Sequence, residues 1–283
     1  MTQQQDVISA LVADGNDLDH LVAGLDASQW NKQTPADGWT IKHQIAHLSA
    51  TFRLAATAAG NPDAFEALAS RLSNNFNANV DSALAPYLAA DPDVLLERWR
   101  IERDAAEREL GAVPAGKMVP WLVRPMPAPI LAMAGMMELF GHGQDIADAL
   151  GVQRQPTNRL RYLCGFAVRV WDFGYLARGL TPPNVDFRFE LTGPSGDVWE
   201  FGPLGSGQKI SGPAMDFCQL VTRRRHRDDL ALVAYGNEAD RWLDLAQAYR
   251  GPAGPGRTPG QFAKATVPSS LGADFFAMAS ARF

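Results

Sequence analysis

Glu138 and His142 stand four residues apart in the run MAGMMELFGHGQD, where their neighbours are methionine, leucine, phenylalanine and glycine. On a helix this spacing puts both side chains on one face, so a carboxylate oxygen and an imidazole nitrogen can converge on one ion. Spacing of this kind also arises by chance, as an exposed or capping pair. The apolar setting argues against that, because a carboxylate and an imidazole on a buried face need partners and a metal supplies both at once. A second pair at the same spacing, His43 and His47, lies in WTIKHQIAHL. One of them would complete a three-ligand set, and the residues alone leave either choice open. Two imidazoles and a carboxylate suit Zn2+, Ni2+, Mn2+ or Fe2+, and the same set is the non-haem iron pattern of oxygenases. Three protein ligands leave a coordination position open, as in catalytic rather than structural zinc.

Such a site needs facing helices. Apolar residues Val7, Leu11, Leu18, Leu21, Val22 and Leu25 recur at helical steps over residues 7–25. After the loop TPADGW, Thr40 is a good N-cap, and Ile41, Ile45 and Leu48 form the stripe of a second helix that carries both histidines. A third helix starts at Asp91-Pro92-Asp93 and runs through Leu95, Leu96, Trp99 and Ile101 to Leu110. Pro129 suits the first turn of a fourth helix over residues 130–150, with Gly151 as its stop. An antiparallel four-helix bundle commonly builds its metal site from facing helices. Gly135 and Gly141, inside the fourth helix, each cost roughly 1 kcal/mol against alanine, which points to close approach of another helix or a ligand. Asn74–Asn79 opens a polar insertion, and VPWLVRPMPAP is too rich in proline to be helical throughout.

A further helix is expected over residues 158–178, ending before Pro182-Pro183. The period then changes: FRFELTG and DVWEFGP alternate about a PSG turn, a hairpin, and KISGPAMDFCQLVTRRRH returns to helical spacing. The fold class is therefore an α-dominated two-domain protein, an N-terminal four-helix bundle followed by a smaller α+β domain. The expected boundaries are residues 1–155 for the bundle, 156–183 for a connecting helix and linker, 184–251 for the α+β domain, and 252–283 for a Pro/Gly-rich tail. Residues 261–283 are expected to be ordered only by docking or by a partner.

Hydrophobic residues at 46% and charged residues at 20% describe a globular chain. A net charge of −5 and a pI near 5.5, with no basic stretch interleaved with aromatics, argue against nucleic acid as a partner. The polar start and the lack of an apolar run near the roughly 20 residues of a membrane span predict a cytoplasmic protein with no membrane partner. Cys164 and Cys218, both in apolar stretches, are expected to be buried, inert thiols.

The segments WTIKHQIAHL and MELFGHGQDIADALG resemble the second- and fourth-helix motifs of the DinB-like superfamily. The Glu-x-x-x-His form is similar to its mycothiol-dependent maleylpyruvate isomerase branch, and the resemblance implies His47, Glu138 and His142 as ligands. SGPAMDFCQLVTRRRHRDDL and GNEADRWLDLAQAYRGPAGPGR resemble the C-terminal half of an actinobacterial metal-binding subgroup, whereas VPWLVRPMPAP departs from the family pattern. The resemblance implies a divalent metal, with zinc first, and mycothiol as a co-substrate. Such a metal would hold a low-molecular-weight thiol as thiolate for S-transfer, thiol exchange or isomerisation. Two other readings stand beside it: a thiol-independent metal hydrolase or cyclase acting on a natural-product intermediate in secondary metabolism, and a metal-stabilised, non-catalytic binding module.

His43, one turn from His47, is a candidate acid–base or ligand-orienting group, or a structural histidine. Asp145 could orient the free ring nitrogen of His142, or sit on a solvated face, and Gln144 could bond substrate. Arg224 and Arg227, in the run Arg223–Arg227, are candidates for clamping a carboxylate or the polar groups of a thiol, against a solvated helix end pairing with Asp228 and Asp229. Trp39, Trp99 and Trp171 read as core, and His20 as surface.

Overall fold

The structure is a computed structural model that describes residues 2–262. The expectation for residues 261–283 therefore falls, beyond Phe262, outside the described residues.

Four long helices form the N-terminal bundle. Helix α1 (Gln3–Val22) opens with a capping box between Thr2 and Gln5 and buries Val7, Leu11, Leu18 and Val22. A single turn, α2 (Ala27–Trp30), leads through the loop at Trp39 into α3 (Ile41–Gly60), which buries Ile41, Ile45, Leu48 and Phe52. Helix α4 (Pro62–Ala69) follows, and α5 (Phe76–Leu88) occupies the stretch expected to be a polar insertion. Asn61 and Asn75 cap them through their side chains, so Asn75, inside the stretch read as a polar insertion, is a helix start.

Helix α6 (Pro92–Ala112) has Pro92 in its first turn, and α7 (Ala128–Leu150) ends at Gly151, whose φ of 69° is left-handed. Helix α3 packs on α6 and α7, and α1 on α7 and α6, closing the bundle around Trp99, Leu95, Ile45 and Leu11. The proline-rich run between α6 and α7 forms a two-stranded ribbon, β1 (Met118–Val119) and β2 (Met126–Pro127). Phe65 of α4 stacks on Trp121 in its loop, with ring centroids 5.9 Å apart.

The helix expected over residues 158–178 is broken into α8 (Leu160–Arg169) and the single turn α9 (Phe173–Leu176). The backbone bends at Val170, and a Cβ on Gly174 would lie 1.9 Å from the carbonyl oxygen of Leu245. The chain at Leu245 thus passes against the bare Cα of Gly174. Strands β3 (Phe187–Thr192) and β4 (Val198–Phe201) form the expected antiparallel hairpin.

KISGP is a strand rather than the start of a helix. Strand β5 (Gln208–Pro213) pairs parallel to β3, and only then does α10 (Ala214–Val221) begin. A 3-10 turn at Arg227–Asp229, strand β6 (Val233–Tyr235) and α11 (Asn237–Leu245) complete a sheet of order β4-β3-β5-β6 with helices against it. The core of this unit is aromatic: Phe189, Phe217 and Trp242 meet with centroids 5.4–6.0 Å apart.

Cys164 of α8 and Cys218 of α10 are fully buried free thiols with sulfurs 3.7 Å apart, and burial pushes the Cys218 thiol up. No helix among the described residues is long and apolar enough to cross a membrane.

Candidate metal centre

Helices α3 and α7 face one another so that ligand-type atoms of His47, Glu138 and His142 all lie within 4.8 Å. Glu138 Oε2 is 3.4 Å from His47 Nε2 and 3.2 Å from His142 Nε2. Burial first, and then the charge of His47, lower His142 to about 4, so its ring is neutral at pH 7.

A chain of hydrogen bonds places the single proton of that ring. The Thr34 hydroxyl donates to the Trp39 carbonyl at 2.7 Å and so accepts from Gln44 Nε2 at 2.9 Å. This turns Gln44 Oε1 toward His142 Nδ1, 2.5 Å away, and an amide oxygen can only accept. His142 therefore carries its proton on Nδ1 and aims the lone pair of Nε2 at Glu138. A carboxylate oxygen and a bare imidazole nitrogen at 3.2 Å are two acceptors in contact, an arrangement a cation between them resolves. The donor set fits a divalent transition metal on this ground.

Gln44, fully buried one turn before His47, joins this cluster although it was not among the candidates drawn from the sequence. The available signal was a lone amide within the apolar stripe of Ile41, Ile45 and Leu48. Gln44→Leu is expected to weaken metal binding roughly 10–100-fold in a chelator competition, as loss of the group that orients a ligating histidine does. Gln44→Glu, which keeps an acceptor oxygen, should recover most of it; equal affinity in all three proteins would remove this role from Gln44.

Trp39, expected to be core, is half-buried over the site: its ring lies 5.9 Å from that of His142, 5.4 Å from His47 and 6.3 Å from His43. His43 itself folds back on its own helix start, where its Nδ1 accepts from the Thr40 backbone N–H at 3.3 Å.

The other sequence candidates gather elsewhere. Gln44, not Asp145, engages the free nitrogen of His142. Asp145 is fully buried, with Arg224 Nη2 2.8 Å from one oxygen and Arg257 Nη2 2.8 Å from the other. Arg224 also donates to the Gly141 carbonyl at 3.1 Å, and a Cβ on Gly141 would press on its guanidinium at 3.4 Å. Gly135 likewise admits Leu11, at 3.2 Å from where its Cβ would be. Arg225 clamps Asp148 with two bonds of 2.7 and 2.8 Å, and Arg227 holds Asp240 and Asp244. Gln144 is buried and donates to Asp148. The arginine run thus pairs chiefly with α7 and α11 instead of Asp228 and Asp229. It fastens the C-terminal unit to the back of the ligand helix.

On its other side the site opens into a cavity of about 980 Å3, lined by His47, Thr51 and Glu138 at the metal end. Its walls come from α3, α4, α5, the ribbon, α7, α8 and residues 248–250. None of Asp145, Gln144, Arg224 and Arg227 lines it.

A bundle with a His/Glu/His cluster between its second and fourth long helices is of the DinB-like class. Residues 11–147 match the model of the mycothiol maleylpyruvate isomerase N-terminal domain. Two uncharacterized proteins of Mycobacterium tuberculosis, from strains CDC 1551 / Oshkosh and H37Rv, are each 45% identical over 250 residues, covering 88% of this chain and 97% of theirs. The chain belongs to this family of mycothiol maleylpyruvate isomerase N-terminal-domain proteins. Among solved structures, the mycothiol-dependent maleylpyruvate isomerase is similar in fold, with a TM-score of 0.54 at 14% identity over 77% of this chain and 88% of that one. A histidine-to-alanine variant of that enzyme gives a TM-score of 0.52.

Proposed function

We propose that the protein is a metal-dependent enzyme that uses a low-molecular-weight thiol of the mycothiol type, as an isomerase or S-transferase. The observation that carries this reading is the convergence of His47, Glu138 and His142 at one end of a cavity with room for two reactants. Family membership and a solved neighbour named for mycothiol-dependent isomerisation support it.

A divalent metal, zinc first among the candidates, supplies when bound the positive charge that favours a thiol's ionised form. Glu138 contributes the negative charge that retains the cation, and His47 and His142 contribute neutral lone pairs. The His142 proton is committed to Gln44, so this ring holds its orientation and takes no part in proton transfer. The Thr51 hydroxyl, 3.4 Å from His47 Nε2 and on the cavity wall, is placed to orient a bound reactant. The apolar walls exclude water and strengthen the charge interactions at the metal end. On this reading His43 caps α3 and Asp145 secures the C-terminal unit, and neither touches reactants.

The test is a cobalt-substituted protein titrated with mycothiol or N-acetylcysteine. The visible bands should shift on addition, and turnover should require thiol. A spectrum unmoved at millimolar thiol sinks the proposal, and turnover without thiol transfers the site to a hydrolase or cyclase.

A further inference from the structure

The cavity walls carry a selectivity that the metal end does not explain. Most of the lining is hydrocarbon, including Leu54, Val80, Ile130, Met133, Met137 and Phe166. Exposed apolar side chains continue along it at Leu68, Leu72, Met118 and Val123, each 43–48% accessible. Isolated exposed apolar side chains need no explanation, but four lining one cavity leave apolar surface open to a ligand.

The charges are as one-sided as the walls are apolar. Four arginines line the cavity: Arg53 from α3, Arg124 from the ribbon loop, Arg169 from α8, and Arg250. The lining contains one carboxylate, Glu138, which the metal site already uses, and no lysine. All four are exposed to solvent, and among the described residues none makes an ion pair with a carboxylate. The chain as a whole carries a net charge of −5, so four arginines around one cavity run against its composition. Four exposed arginines from separate segments around one cavity, without acidic partners among the described residues, bias the local potential toward an anion. The planar guanidinium pairs best with a carboxylate or phosphate.

Size completes the case. Pockets for small ligands run from about 300 to 1,000 Å3, and this one, at about 980 Å3, is at the large end. A compact, polar keto-acid of the kind named for the structural neighbour would leave most of these walls wet.

We propose that the electrophilic substrate is a bulky, mainly hydrocarbon molecule bearing one anionic group, with its body on the apolar walls and its anion held by the arginines, Arg169 and Arg250 foremost. This rests on the metal end being the reaction centre proposed above. It deepens that reading by giving the second reactant a chemical class.

The test uses the full, metal-loaded chain and isothermal titration with four probes: dodecanoate, dodecyl phosphate, dodecanol and maleate. Dodecanoate or dodecyl phosphate should bind at least about tenfold more tightly than dodecanol and than maleate. The tighter of the two identifies the anion as carboxylate or phosphate. The double variant Arg169→Gln/Arg250→Gln should weaken that binding at least about tenfold and leave dodecanol unchanged, with its melting curve confirming the fold.

Dodecanol binding as tightly as both anions overturns the anionic group, and maleate binding more tightly overturns the hydrocarbon body. Neither dodecyl anion binding to a protein whose cobalt spectrum still answers to thiol overturns this substrate class alone. A silent cobalt spectrum with the dodecyl anion still bound overturns the thiol chemistry alone.

Discussion

His142→Ala is expected to purify with less than about a tenth of the metal held by the parent chain, and to lose thiol-dependent turnover with it. The variant removes one of three donors and leaves Glu138 with His47 alone. It also strips Gln44 Oε1, in a fully buried side chain, of its partner, and a buried acceptor left unpaired costs about 1–3 kcal/mol. Metal content by mass spectrometry and a melting curve read the two effects separately. The loss of metal should exceed the roughly 10–100-fold weakening expected for Gln44→Leu, because a direct donor is lost rather than the group that orients it. A His142→Ala protein with undiminished metal would refute the ligand set.

Asp145→Ala is expected to cost about 3 kcal/mol of folding stability while leaving the metal site chemically complete. The carboxylate is fully buried between Arg224 and Arg257, and its removal leaves two guanidiniums facing each other without a counter-charge. Losing one partner of a buried ion pair typically costs about 3–5 kcal/mol. The lower figure applies because the arginine side chains keep 14% and 13% of their exposure and so some hydration. Urea unfolding followed by tryptophan fluorescence measures the loss, and metal content in the absence of urea should stay that of the parent. A variant as stable as the parent but inactive would place Asp145 at the reaction centre instead.

Comparing these two residues shows how far one chain of letters reaches. Both lie on α7, seven residues apart at most from Glu138, and both looked chemical. For Glu138 and His142 the sequence was sufficient, since helical periodicity is local and two residues four apart share a face in any helix that forms. The four long helices were legible for the same reason, with Thr40, Pro129 and Gly151 marking their ends. The hairpin of β3 and β4 was equally local.

The residues alone did not decide between His43 and His47, and the motif resemblance was what favoured His47. Tertiary structure supplies a physical basis: His43 sits in the first turn of α3 and bends back to Thr40, while His47 is a turn further in, opposite α7. Asp145 depends on Arg257, 112 residues away in sequence, and no periodicity reports such a partner. KISGP became a strand because β3 offered it a parallel edge, a pairing with no local signature.

Sequence determined that Glu138 and His142 share a helix face able to hold a metal. Only the packing of α3 on α7 decided that Gln44 would orient His142, that Trp39 would lie over the rings, and that the site would open into a cavity walled with arginine and hydrocarbon. Helix faces follow from contacts a few residues apart; a cavity is made by segments that meet only after the chain has folded.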